Sequence, residues 1–257
     1  MKENFFYILI MGNFLIAVGF LIGFVTNQMD VIWVEETKVP IIMFHYVREV
    51  DRSKDFLGYN LSISPQKFEE QLKYLKNKGY STIHLKDLRR KKIQKKSVIL
   101  TFDDGTEDFY TTALPLLTKY GFKASNAIIS GKIGKKGYMT EEQIKESISS
   151  GTEIISHTAD HHDLSRLSRK MISEQILESR KILEAKFDIK IESFCYPVGK
   201  YNETVLEVLR EENYLTGITV NYGVADLSKN DFLLLPRIRM DNRYGLKRLK
   251  QVLEDSD

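Results

Sequence analysis

With a single cysteine, Cys195, among 257 residues, the chain can form no intramolecular disulfide. That excludes the disulfide-dense class of small secreted domains but not an extracellular location, because a chain of this length can rest on its own core. Charge of one sign is equally scarce: 38 basic and 35 acidic residues leave a formal net charge of +3. A nucleic-acid-binding surface normally gathers a clear basic excess, so no nucleic-acid partner is implied. The densest basic run, Arg89-Arg90-Lys91-Lys92 with Lys95-Lys96, precedes an apolar strand pattern and reads as a solvated loop. There is no internal repeat, and the terminal Glu254-Asp255-Ser256-Asp257 carries no lipidation signal. Hydrophobic residues at 42% and charged residues at 28% exclude wholesale disorder.

One long apolar run is present. From Phe5 to Val25 the sequence is free of charge, and Asn13 is its only strongly polar residue. About 20 such residues cross a bilayer as a helix, whereas a cleavable signal peptide carries about 7–15 and ends at small residues. Thr26-Asn27-Gln28-Met29 offers no such cleavage site. The expected organisation is therefore a transmembrane signal anchor over residues 1–27, a tether over 28–38 and one domain over 39–257. Lys2 and the free amino group place the short leading segment on the cytoplasmic side, which puts the domain on the extracytoplasmic face of the cell membrane.

Beyond the tether, buried-strand patterns alternate with helical ones. Val39–Phe44, Ser97–Phe102, Ala124–Ser130, Glu153–Ser156, Ser193–Tyr196, Gly217–Val220 and Leu233–Ile238 read as strands. Between them, Ser64-Pro65 opens a helix with its stripe at Phe68, Leu72 and Leu75, and Thr140-Glu141-Glu142-Gln143 is a capping-box pattern. A long amphipathic helix is expected from about Ser168 to Lys186. Alternation of this kind implies an α/β fold with parallel strands, a (β/α) barrel that is complete or distorted. In such a barrel the functional site gathers at the C-terminal strand ends, where His45, Asp103, Asp104 and His157 all fall.

Adjacent Asp103 and Asp104 leave a strand in different directions, so one can bind a metal while the other faces substrate as a base. In His157-Thr158-Ala159-Asp160-His161-His162, two imidazoles lie four apart, and three of the chain's five histidines fall within six positions. Two histidines and one carboxylate make a metal site with open coordination positions, able to polarise an acyl oxygen and acidify water. His84 has no comparable context and reads as a packing residue, as does the Cys195 thiol.

The segments TFDDG, SHTADH and FCYPVGKYN, in this order, resemble three motifs of the polysaccharide deacetylase family with the NodB homology domain, carbohydrate esterase family 4. The resemblance runs from about Lys38 to Leu253. It implies a distorted (β/α) barrel holding one divalent metal ion, most often Zn²⁺, that removes acetyl groups from N-acetylated glycans. It makes Asp103 the general base and Asp104, His157 and His161 the metal ligands, with His162 replacing His161 in some relatives. The third motif usually begins with an arginine that pairs with the base. Cys195 stands at that position, which leaves the pairing to Arg237 or Arg239; Arg237 is the assignment made here. Tyr196 matches a residue whose backbone N–H helps hold the oxyanion. No late Leu-x-His motif follows, and His45 resembles the early histidine that protonates the leaving amine in poly-N-acetylglucosamine deacetylases. The substrate implied is a cell-envelope or exported polysaccharide of that kind. Peptidoglycan, a chitooligosaccharide or a non-catalytic glycan-binding role are the alternatives, and no protein partner is implied.

Overall fold

The computed structural model describes residues 37–89 and 92–254. The expected anchor and nearly all of the tether lie outside the described residues. Among the described residues, no helix is long and apolar enough to cross a membrane.

Seven strands form the central sheet: β1 (Ile41–Phe44), β2 (Ser97–Phe102), β3 (Ser125–Ile128), β4 (Glu153–Ser156), β5 (Ser193–Cys195), β6 (Thr216–Tyr222) and β7 (Leu235–Arg239). Each pairs in parallel with its neighbour in sequence, and β7 and β2 both pair with β1, so the sheet closes on itself. Closure removes exposed strand edges, and every strand then needs an inner and an outer set of side chains. The inner set includes one apolar residue from each strand: Ile41, Ile99, Ala127, Ile155, Cys195, Ile218 and Leu235 form one buried cluster. Leu85 and Leu88, from the short turn Leu85–Arg89, join that cluster. Outer positions such as Phe44, Leu100, Phe102, Phe194 and Ile238 pack with the helices in a second, larger cluster. There the Phe44, Phe68 and Phe102 rings lie 5.1–5.7 Å apart. Each such fully buried ring contributes about 1.5–3 kcal/mol relative to exposure.

The crossover helices begin where local chemistry lets them. In α1 (Pro65–Asn77) the Ser64 hydroxyl accepts from the Lys67 N–H at 3.3 Å, and Pro65 occupies a first-turn position. After α2 (Leu114–Tyr120), Gly121 takes the left-handed conformation that ends the helix, at φ 71°. Both bonds of the Thr140–Gln143 capping box open α3 (Glu141–Ser149). Ser168 caps α4 (Arg169–Phe187) and Asn202 caps α5 (Glu203–Glu211). The final helix α6 (Leu246–Glu254) and a six-residue helix at Phe56–Leu61 were not apparent from the sequence pattern.

Two departures bear on function. The run Val39–Phe44 is divided at Pro40, which has no N–H to give a ladder. Lys38–Val39 pairs antiparallel with Ala225–Asp226, while Ile41 onward enters the barrel. Strand β6 carries a bulge: Ile218 pairs with Leu235, yet Tyr222 pairs with Arg237, so four steps on β6 match two on β7. Bulges of this kind re-aim side chains beside sites.

Candidate active site

The C-terminal strand ends gather His45 (after β1), Asp103 and Asp104 (after β2), His157 (after β4) and Tyr196 (after β5). With His161 they line one pocket of about 230 Å³, together with Tyr46, Leu61, Val198, Gly199 and Val220. Five expected residues of the β1, β2 and β4 ends therefore meet, although up to 116 positions separate them in sequence. The backbone is unusual here: Asp104, Thr158, His161 and Val198 all take positive φ, at 77°, 65°, 65° and 50°. For a β-branched residue such as Val198 this is a strained conformation, of order 1–3 kcal/mol.

Asp103 and Asp104 are neighbours with different surroundings. The buried Asp103 carboxylate accepts two bonds from the Arg237 guanidinium, at 2.7 and 2.8 Å. Burial alone would raise its pKa, but the Arg237 charge outweighs this and holds the carboxyl well below its usual range. Arg237 is itself fully buried, and all five of its N–H groups find acceptors. Beyond the two Asp103 oxygens these are the Thr219 carbonyl at 2.7 Å, the Thr101 hydroxyl at 3.1 Å and Cys195 Sγ at 3.5 Å. Arg239, two residues on, instead pairs with Asp241 at 3.2 Å and donates to the Asn60 carbonyl.

Asp104 faces the imidazoles. Its Oδ1 lies 3.5 Å from Nε2 of both His157 and His161, and its Oδ2 accepts from the Tyr46 hydroxyl at 3.0 Å. Nδ1 of His157 donates to the Cys195 carbonyl at 2.8 Å, which fixes the ring and points its Nε2 toward Asp104. Burial, then the neighbouring His157, pushes the pKa of His161 down to about 4, so this ring is neutral at pH 7. One carboxylate oxygen and two imidazole nitrogens are the donor set of an open zinc site. Donors each about 2.0–2.1 Å from a tetrahedral zinc stand about 3.3–3.4 Å apart, close to the observed spacing. The donor set fits a divalent metal.

His162 is exposed and outside this group; the left-handed turn at Thr158 and His161 aims His161 inward instead. The Tyr196 N–H is already engaged, donating to the Ile218 carbonyl at a long 3.3 Å. It can reach an oxyanion only by sharing or exchanging that bond. His45 is largely buried, and its Nε2 lies 3.9 Å from Asp103 Oδ2. Burial lowers its pKa, against the pull of Asp103 and Asp104.

Tyr46, Thr101 and Thr219 were missed by sequence reasoning. Tyr46 follows His45 directly, and an aromatic hydroxyl next to a strand-end histidine was its only signal. Burial, then Asp104, raises the Tyr46 pKa, so its hydroxyl remains a donor. Nothing in the sequence marked Thr219, whose carbonyl is freed for Arg237 within the bulged stretch of β6.

The family model for polysaccharide deacetylases matches residues 90–217. A Bacillus subtilis protein named as a polysaccharide deacetylase, YxkH, is 35% identical over 202 residues, covering 77% of this chain and 70% of its own. The chain belongs to the polysaccharide deacetylase family, and with it to the hydrolases that deacetylate glycans. A poly-beta-1,6-N-acetyl-D-glucosamine N-deacetylase of Staphylococcus aureus is 27% identical over 230 residues, 79% of either chain. Among solved structures, the Streptococcus pyogenes deacetylase PplD in complex with acetate superposes with a TM-score of 0.78. It is 32% identical, with 84% of this chain and 98% of that one covered.

Proposed function

We propose that this protein removes N-acetyl groups from a poly-N-acetylglucosamine-like polysaccharide of the cell envelope or an exported matrix, using a divalent metal, most suitably zinc. The observation that carries the reading is the convergence of Asp104, His157 and His161 on one point, beside an Asp103 whose ionised form Arg237 maintains. When bound, a metal there would polarise the acetyl oxygen and make water acidic enough to attack at neutral pH.

In this reading the chain's own residues divide the work. Asp103, held ionised at rest by Arg237, takes a proton from the attacking water. Its neighbour Asp104, with His157 and His161, holds the metal, and Tyr46 keeps the Asp104 carboxylate in place through its hydroxyl. His45, whose Nε2 lies 3.9 Å from the Asp103 carboxylate, delivers a proton to the departing sugar amine. The products are acetate and a glycan that has gained a cationic amine. The charge-free run Phe5–Val25 supports a membrane anchor, with the catalytic domain held on the extracytoplasmic side.

The test is acetate release by the full chain in detergent from β-1,6- and β-1,4-linked N-acetylglucosamine oligomers, before and after chelation and after zinc is restored. Loss on chelation, recovery with zinc and preference for the β-1,6 oligomer are expected. Undiminished release after complete chelation would sink the metal-dependent mechanism. Preference for the β-1,4 oligomer would move the substrate to chitooligosaccharide or peptidoglycan-like chains.

A further inference from the structure

The two histidines of the metal set are held in different ways. His157 directly continues β4: its N–H donates to the Ile128 carbonyl at 3.0 Å, and its ring is fixed on the Cys195 carbonyl. His161 stands at the far end of a loop whose backbone is left-handed at Thr158 and at His161 itself. For a β-branched residue such as Thr158 that conformation is strained, so the surroundings must impose it.

Three sets of contacts do so. Within the loop, the Thr158 hydroxyl accepts from the His161 N–H at 3.0 Å. Beyond the end of β3, the Ser130 and Gly131 N–H groups donate to the Thr158 and Ala159 carbonyls at 3.1 and 2.9 Å. Gly131 lies so close that a Cβ there would stand 2.6 Å from the Ala159 oxygen. The third set comes from one residue of α4, Gln175. Its main-chain carbonyl, although inside a helix, accepts the Ala159 N–H at 3.2 Å. Its amide oxygen accepts the Asp160 N–H at 3.0 Å, and its amide nitrogen donates to Asp160 Oδ2 at 2.9 Å.

Helix α4 is placed to make these bonds. Its buried stripe of Ile172, Ile176, Ser179 and Leu183 faces the barrel. One turn after Gln175, the Ser179 hydroxyl accepts from the hydroxyl of Ser156, the residue just before His157, at 3.0 Å. The helix is thus in register with both the start and the middle of the metal loop. A side-chain amide supplies an acceptor and a donor together; a glutamate would set a second carboxylate against Asp160, and a lysine has no acceptor. Gln175 is half-buried and Asp160 exposed, so water competes for their bonds. Such a pair adds little to global stability and acts on local conformation.

We infer that Gln175 is a positioning residue for the metal centre, holding Ala159 and Asp160 so that His161 Nε2 stays beside Asp104 and His157. The inference rests on the metal-dependent reading and extends it to a residue outside the segment that carries the histidines.

The experiment measures zinc affinity of the full chain by competition with a chromophoric chelator. Gln175→Ala is expected to weaken zinc about tenfold, the low end of the effect of groups that orient a ligand. Gln175→Glu weakens it further, by repulsion from Asp160. The exchanged pair Gln175→Glu/Asp160→Asn recovers most of the loss, because the new amide at 160 can donate to the new carboxylate at 175. In a His161→Ala background, Gln175→Ala costs no further affinity, since the loop then has no second ligand to place. Unchanged zinc affinity in both single variants would overturn the inference, even if urea unfolding showed the metal-free protein to be less stable. So would an exchanged pair that recovers nothing, or a second tenfold loss in the His161→Ala background. An unaltered chain that binds no zinc would fault the metal-dependent reading itself, and the inference with it.

Discussion

The barrel holds a buried carboxylate cluster at each end, and the two are built to opposite specifications. At the end where the strands begin, Glu153 of β4 accepts from the Leu85 and Lys86 N–H groups at 2.8 and 3.1 Å and from the Ser125 and Ser193 hydroxyls at 2.5 and 3.2 Å. Its four donors leave it saturated, and the turn Leu85–Arg89 closes over it. At the end where the strands finish, Asp104 takes one hydroxyl bond from Tyr46 and otherwise faces two imidazole nitrogens and open space. The same residue chemistry serves as a plug when every lone pair is used and as a ligand when some are left over. Burial alone, which both clusters share, does not separate structure from function.

The comparison can be broken most severely at Asp103. Asp103→Asn removes the proposed base while keeping its shape, and kcat for acetate release is expected to fall by about 10²–10⁴. Metal content by elemental analysis should stay unchanged, because Asp104, His157 and His161 remain; retention of more than a tenth of the activity would refute the assignment. At the other end, Glu153→Gln turns an amide N–H₂ toward groups that are themselves donors. We expect a loss of about 1–3 kcal/mol in urea unfolding, with kcat/KM of the folded enzyme unchanged within about twofold. A large fall in kcat/KM at constant stability would show that the two ends are coupled. The smallest effect is expected at His162, whose replacement by alanine should alter metal content and turnover by no more than about twofold, as for ordinary surface substitutions. Loss of metal in this variant would transfer the ligand role from His161.

Much of this architecture was legible. Strand-end placement, together with the histidine spacing and the motif resemblance, marked His45, Asp103, Asp104 and His157, because parallel strands with crossovers on the outside deliver their C-terminal ends to one place. Ser64 and Thr140 announced their helices because a cap is a local bond. What escaped the sequence depends on depth and on backbone turns. Arg237, assigned from the sequence as the partner of Asp103, sits two from Arg239 on one strand and shares its face, so alternation gave no physical ground for that choice. The choice falls to depth: Arg237 lies within the barrel beneath Asp103, while Arg239 reaches the rim and Asp241. His161, which the motif spacing favoured over His162, is turned inward by left-handed residues that no propensity foretold. The Tyr196 N–H, assigned by resemblance to the oxyanion, has a carbonyl partner because it continues the ladder between β5 and β6, where Cys195 pairs with Ile218.

Arg237 has a consequence for how this enzyme can change. Its five bonds reach Thr101 and Asp103 on and after β2, Cys195 on β5 and Thr219 on β6, all from β7. One side chain thus spans the interior like a tie-rod between opposite walls, and the group it fastens is the one that must remain ionised. Removing either partner of such a pair strands a charge in the interior, at about 3–5 kcal/mol, a large share of a typical domain's stability. Reactivity and foldedness are therefore inherited together at this position.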